Sequence, residues 1–246
     1  LKTKNILIAS GSAVVELPFA KFDGKKIISS TEALSLTEVP KHLIVTGGGE
    51  IGLELGSLWL RLGATVPVIE YAPLICSTMD NGTSKMLMKI LAKQGMEFLV
   101  STKVLKAEVK GKEVEVTYES EGKSATVNGD YVLVAAGRKP YTDKLGLESN
   151  EKEKDERGRI KTNAHLQTSV PNIFAIGDVI VGPMLAHKAE EEGVAATEFM
   201  AGLLGHVNYE TVPGIIYTWP EFASVGATEE QLKAAGTEYR AGAFPF

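Results

Sequence analysis

The chain has 246 residues, 44% of them hydrophobic and 23% charged, and a formal net charge of −5. Those proportions belong to a globular chain with room for one large or two ordinary domains. No lysine- or arginine-rich face and no apolar run of transmembrane length occurs, so neither nucleic acid nor a membrane is expected as a partner. The single cysteine, Cys76, rules out an intrachain disulfide and any mechanism needing two thiols from this chain. It fits a reducing compartment, cytoplasmic or an organelle matrix. The chain begins at Leu1 without a methionine or a signal peptide, which leads us to expect an internal piece of a longer protein.

Residues 5–9 read as a buried strand that ends in the turn Ser10-Gly11-Ser12. Residues 16–40 are mostly connection, punctuated by Pro18, Asp23-Gly24 and Pro40. The next stretch is the most informative. Lys41-His42-Leu43-Ile44-Val45-Thr46 is an apolar strand that runs into Gly47-Gly48-Gly49-Glu50-Ile51-Gly52, a G-x-G-x-x-G turn. An amphipathic helix follows, then a second strand at 65–69 that ends in Glu70. This is the dinucleotide-binding fingerprint in its expected strand–turn–helix–strand context. Gly47 permits the tight turn, Gly49 keeps side chains off the pyrophosphate, and Gly52 lets the helix pack close to the strand. Free N–H groups and the helix dipole favour the phosphates. Glu70 can accept hydrogen bonds from a ribose 2′-hydroxyl and would repel a 2′-phosphate, so NAD is expected rather than NADP.

A helix near 83–93 carries Met86, Leu87, Ile90 and Leu91 at helical spacing and stops at Gly95. Residues 104–109, 113–119 and 124–127 read as antiparallel strands joined by glycine turns, and 131–135 as an apolar strand closed by Gly137. The charge-rich stretch 148–159 reads as a solvated hairpin or loop. Residues 172–176 form a buried strand ending in Gly177-Asp178, and a long helix follows at about 184–204. Strands are expected at 215–217, 223–225 and 238–241, with a capping box at Thr228-Glu229-Glu230-Gln231 opening a short helix. Trp59, at helical spacing with Leu55 and Leu62, belongs in the core. Cys76 lies in a loop without basic neighbours and reads as a bystander thiol. No cluster has metal-ligand spacing.

Taken together these motifs resemble the dihydrolipoamide dehydrogenases, flavoprotein disulfide oxidoreductases of the pyridine-nucleotide class. The matching residues are Ala9-Ser10-Gly11-Ser12, Gly47 to Glu54, Ala136-Gly137-Arg138-Lys139-Pro140, Ile176-Gly177-Asp178, the run Met184-Leu185-Ala186-His187-Lys188-Ala189-Glu190-Glu191-Glu192-Gly193, Ile216 to Glu221, and Val225-Gly226. The resemblance covers essentially the whole chain. It implies an α/β fold in which a Rossmann-type NAD-binding domain (37–142) is inserted between segments of a FAD-binding domain (1–36 and 143–208), followed by the start of an α+β interface domain (209–246).

The resemblance also implies roles. Gly47, Gly48, Gly49, Glu50, Ile51, Gly52, Glu54 and Glu70 would hold NAD, with Val104 against the adenine, Gly137 toward the nicotinamide, and Glu54 where nicotinamide meets flavin. Ser10, Gly11 and Ser12 would border FAD, Asp178 would bond its sugar-alcohol chain, and Met184, Leu185, Ala186 and His187 would approach the ring. Electrons would pass from dihydrolipoamide through a disulfide and FAD to NAD. The reductant would be carried on a lipoyl domain of a 2-oxoacid dehydrogenase or glycine cleavage complex, and the enzyme would be a homodimer. The redox cysteine pair and the first glycine-rich FAD motif would precede Leu1. None of His42, His165, His187 and His206 matches the family's catalytic histidine, so no catalytic residue is assigned here. The FAD site is therefore expected to be incomplete, the chain by itself colourless and inactive, and the surface around Ile173, Phe174 and Ile176 uncovered.

Three departures stand out. Glu50 replaces a usually apolar residue beside the expected pyrophosphate and should weaken binding. Pro67 interrupts the second strand, and Ala227 replaces a common lysine. Another NADH-dependent flavin disulfide reductase, an NADH oxidase, or a non-catalytic nucleotide-binding module are the alternatives.

Overall fold

Most elements follow the hydrophobic periodicity of the sequence. The computed structural model describes residues 2–147 and 153–244. In chain order the elements are β1 (Ile6–Ile8), β2 (Ser12–Val14), β3 (Ile27–Ile28), α1 (Ser30–Ala33), β4 (Leu43–Thr46), α2 (Glu50–Arg61), β5 (Pro67–Ile69), α3 (Asn81–Lys93) and β6 (Glu97–Leu99). Then come β7 (Thr102–Lys110), β8 (Glu113–Ser120), β9 (Lys123–Gly129), β10 (Tyr131–Val134), β11 (Arg138–Pro140), β12 (Ile173–Ala175), α4 (Ala186–Met200), β13 (Gly214–Ile216), β14 (Phe222–Ser224) and α5 (Glu229–Ala234). They form two compact units. The first comprises residues up to Val15 with Gly137–Val212; the second comprises Glu16–Ala136 with the residues from Pro213 on.

The second unit is built on a five-stranded parallel sheet in the order β3-β10-β4-β5-β6. A parallel sheet must be covered on both faces, which is why β4 reads as a continuous apolar run. Side chains alternate across it: Leu43 and Val45 join one core cluster, Ile44 the other. On the first face α2 contributes Leu53, Leu55 and Trp59, and α3 contributes Leu87 and Leu91. Leu53 is fully buried, a contribution of about 1.5–3 kcal/mol from one side chain. The other face is covered by the antiparallel meander β7-β8-β9 through Val104, Ala107, Val114 and Val116.

The β13–β14 hairpin belongs to this unit as well. Ile216 and Phe222 enter the α2–α3 cluster. Asp80 caps α3 through Gly82 N–H and Thr83 N–H, and also accepts from Glu229 N–H at the start of α5. This hairpin lies in the stretch expected to begin an interface domain, and two of its residues enter the core of the second unit.

In the first unit β1 pairs in parallel with β12, and β2 antiparallel with β11. Helix α4 lays Ala195 and Ala196 against Phe174, Ala175 and Ile176.

Several expectations need correction. Strand β1 is not buried: Ile6 and Leu7 are 44% and 39% exposed, because β12 is its sole neighbour among the described residues. Conversely Phe174 and Ile176, expected to be uncovered, are sealed by α4. Pro67 does not interrupt a strand; it begins β5, a position where a missing N–H costs least. No strand forms at 238–241, where no described neighbour offers a ladder. The charged stretch closes a tight turn over Asp155–Gly158, while 148–152 lie outside the described residues. Trp59 is core as expected, yet its indole N–H finds no acceptor among the described residues.

Candidate functional site

The turn between β4 and α2 is shaped by what its glycines lack. Gly47 has φ +110°, and a Cβ there would strike the Ala135 carbonyl. A Cβ on Gly52 would collide with the Gly47 carbonyl, so the helix can approach the turn only if this residue is glycine. Gly49 is the N-cap of α2 and makes no side-chain cap. Open space lies where its Cβ would be. The first-turn N–H groups of α2 therefore lack intrahelical acceptors and carry the positive end of the helix dipole.

Glu70 sits at the end of β5, as expected. One carboxylate oxygen accepts from Gly48 N–H at 2.6 Å and the other from Ala72 N–H at 2.6 Å. The acid is half-buried and fixed at the rim of the turn. Glu50 is the first residue of α2, half-buried, with Thr78 Oγ1 donating to it at 3.4 Å. Ile51 packs on the core. Cys76 N–H donates to the Gly48 carbonyl, so the thiol lies behind the same turn. Burial, and then the negative charges of Glu50 and Glu70, push its pKa up to about 12. It is a neutral, buried thiol.

Two other expected NAD residues have different surroundings. The Val104 side chain packs into the meander core. Gly137 has φ +111°, and its carbonyl accepts from Val15 N–H within the first unit. Glu54 lies one turn into α2. Its carboxylate accepts the Tyr217 main-chain N–H at 2.9 Å. That partner was not legible in the sequence, because a main-chain donor in a distant segment leaves no residue-type signal.

The expected flavin-side residues all belong to the first unit. Ser10 Oγ donates to the Tyr141 carbonyl at 2.6 Å, and Gly11 turns with φ +72°. Ser12 Oγ donates to Asp178 Oδ2 at 2.5 Å. Arg138 holds that serine, its Nε donating to Ser12 Oγ and its Nη2 to the Ser12 carbonyl, both at 2.7 Å. Arg138, within the Ala136–Pro140 motif, is thus the residue that aims Ser12. No hydrogen bond reaches Asp178 Oδ1 among the described residues, which leaves an acceptor for a hydroxyl.

Helix α4 starts at Ala186, later than expected, with Leu185 as an N-cap that supplies no side-chain bond. Met184, Leu185, Ala186 and His187 thus span its entry, and its uncapped first turn carries partial positive charge. An open carboxylate oxygen and a helix N-terminus in one unit suit a ligand with hydroxyls and an electron-rich edge, as FAD has.

A second cluster in this unit was not anticipated. Lys188 and Glu192 are fully buried and paired at 3.0 Å. Lys188 Nζ also donates to the Gly177 carbonyl at 3.0 Å, and Glu192 accepts Gly177 N–H at 2.7 Å. Tyr209 OH donates to Glu192 at 2.9 Å. Burial and that carboxylate push the Tyr209 pKa up, so the phenol keeps its proton. Among the described residues no His/Cys/Asp/Glu group is arranged to hold a metal ion. No described helix is long and apolar enough to cross a membrane.

Comparison with known proteins agrees with this geometry. A family model described as pyridine nucleotide-disulphide oxidoreductase matches residues 1–193, and the dimerisation domain of the same class matches 212–246. The mitochondrial dihydrolipoyl dehydrogenase of Pisum sativum is 52% identical over the whole chain, which covers 50% of that protein. The leghemoglobin reductase of Glycine max is 51% identical, again over the whole chain and 47% of the relative. Among solved structures, LpdA from Mycobacterium tuberculosis superposes with a TM-score of 0.85 at 27% identity, covering 94% of this chain and 50% of that one. The chain spans about half the length of the curated relatives it matches. Proteins of this class use FAD together with a nicotinamide nucleotide. With a family model covering more than half of its residues, the chain belongs to the pyridine nucleotide-disulphide oxidoreductase family.

Proposed function

We propose that this chain is the NAD-binding central part of a dihydrolipoyl dehydrogenase, and that the whole enzyme passes electrons from dihydrolipoamide through a disulfide and FAD to NAD. The observation that carries the reading is the β4–α2 turn, open at Gly49 and flanked by Glu70 at its rim. The family assignment and the identity to dihydrolipoyl dehydrogenases support it. In this reading the Gly47–Gly52 turn and the α2 N-terminus bind the pyrophosphate, Glu70 selects the 2′-hydroxyl, and Glu54 meets the nicotinamide end. Asp178, Ser10 to Ser12 and the Met184–His187 entry of α4 border FAD, which when bound relays an electron pair between thiols and nicotinamide. Cys76, alone and buried, takes no part, so the dithiol has to come from other residues. The enzyme would act as a homodimer on lipoyl groups of a carrier domain, in a mitochondrial matrix or a bacterial cytoplasm.

The test is titration of the chain with NADH and NADPH by calorimetry. Placing the carboxylate of Glu70 against a 2′-phosphate should weaken NADPH at least about tenfold relative to NADH. Equal affinities would remove Glu70 from the role, and no binding of either would overturn the reading.

A further inference from the structure

We propose that the buried Lys188–Glu192 pair is a positioning device for the flavin site, gripping the Gly177 peptide by its N–H and its C=O and so fixing where Asp178 presents Oδ1. The proposal rests on the reading of Asp178 as a flavin ligand.

A buried ion pair is a poor way to stabilise a helix–strand contact. Desolvating both charges offsets most of their attraction, and an apolar pair of similar volume does as well or better. What the pair does that an apolar pair cannot is bond a specific peptide. Apart from the Tyr209 hydroxyl, the hydrogen-bond partners of the pair converge on one residue: Glu192 accepts Gly177 N–H and Lys188 donates to Gly177 C=O. Gly177 sits at φ +77° and is buried. As glycine it is the residue freest to change that angle, and any change would swing Asp178, the next in the chain. A buried N–H there would also be costly without an acceptor. From the other side Ser12, itself held by Arg138, bonds Asp178 Oδ2. Asp178 is therefore fixed twice, at its side chain by Ser12 and through the preceding peptide by the pair. Tyr209 braces Glu192 from outside.

The experiment is a mutant cycle on FAD affinity, read by flavin fluorescence in the full-length enzyme that carries this chain. Lys188→Met with Glu192→Met keeps the volume apolar and should fold, while FAD binding weakens about tenfold. The same double change made on Asp178→Asn should weaken FAD little further, because the residue it positions is already disabled. Additive effects would show a merely structural role and overturn the proposal. No effect of Asp178→Asn by itself would instead overturn the flavin reading of that residue, a distinct result. A second measurement covers the case of a double variant that does not fold. Glu192→Gln in the 246-residue chain should speed amide exchange at Gly177 about tenfold, since a charged acceptor is replaced by a neutral one. Unchanged exchange would overturn the grip on which the proposal depends.

Discussion

Two strand-to-helix turns, one in each unit, solve the same problem by opposite means. Gly47 after β4 and Gly177 after β12 both take positive φ and hand the chain to a helix nearby. At Gly47 the geometry comes from subtraction: three glycines remove side chains, and the partner of the turn amide is the half-buried Glu70 at the rim. At Gly177 it comes from addition: a lysine and a glutamate with no exposed surface bond the peptide from within the core. In the proposed function the first turn presents bare backbone to the dinucleotide and keeps its selectivity in one acid. The second presents a side chain, Asp178, and invests buried charge in holding it still.

The largest effect should come from breaking the second arrangement. Lys188→Met leaves Glu192 buried without its counter-ion and should cost about 3–5 kcal/mol of stability in urea unfolding. Glu70→Gln at the first turn keeps an acceptor for only one of the two N–H groups that the carboxylate serves, at a half-buried site that water can reach, and should cost about 1–2 kcal/mol. Similar losses at the two positions would erase the contrast.

Next in size is a pair of glycine changes within the first turn. Gly52→Ala drives a methyl into the Gly47 carbonyl and should cost about 1–3 kcal/mol, with loss of NADH binding. Gly49→Ala meets open space, so its stability should fall by no more than about 1 kcal/mol. In the proposed function its methyl would nonetheless stand where the pyrophosphate approaches, and NADH affinity should drop about tenfold. A Gly49→Ala chain that binds normally would place the phosphate elsewhere.

The same contrast explains what the sequence revealed. The first turn was legible because glycine spacing and a terminal acid are residue-type signals tied to one local geometry. Three of the five parallel strands (β4, β5 and β10), the meander and the three long helices were legible from periodicity; β3 was hidden in a stretch read as connection, and β6 is a three-residue strand too short to show a pattern. The second turn's clamp was not: Lys188 and Glu192 look like an exposed i, i+4 pair on a charged helix, and only the burial of that helix face turns them inward. The Tyr217 N–H to Glu54 bond and the packing of Ile216 and Phe222 into the α2–α3 core join segments far apart in the chain, which no local pattern encodes. The buried character expected of β1 failed for a related reason. An apolar strand reads as buried whether or not a neighbour covers it.

A smaller effect concerns pH. Cys76 lies behind the first turn with its pKa raised by burial and by Glu50 and Glu70 to about 12, from an ordinary 9.0. The folded thiol keeps a proton that the unfolded one releases. Its contribution to stability is therefore complete below about pH 9 and is lost as pH rises toward 12. The slope of stability against pH between those limits should be shallower in Cys76→Ala than in the parent, measured by urea unfolding. Identical slopes would mean that the thiol is not shielded behind the turn.

The smallest effect, and the sharpest probe of a turn made by subtraction, is at Glu50. An acid at the first position of α2 favours the helix dipole by about 0.3–1 kcal/mol, so Glu50→Val should lower stability by that order. In the proposed function the same charge stands beside the path of a pyrophosphate, whose two negative charges it would repel. The carboxylate is half-buried and has one long bond, from Thr78, so it is free to lean toward solvent and much of the repulsion is screened. Removing it should tighten NADH by about twofold at physiological salt and more at low salt, where the Debye length grows to about 30 Å. Stability and affinity should thus move in opposite directions in one variant. If Glu50→Val weakens NADH instead, the acid makes a favourable contact with the dinucleotide, and backbone would no longer be the whole of that binding surface.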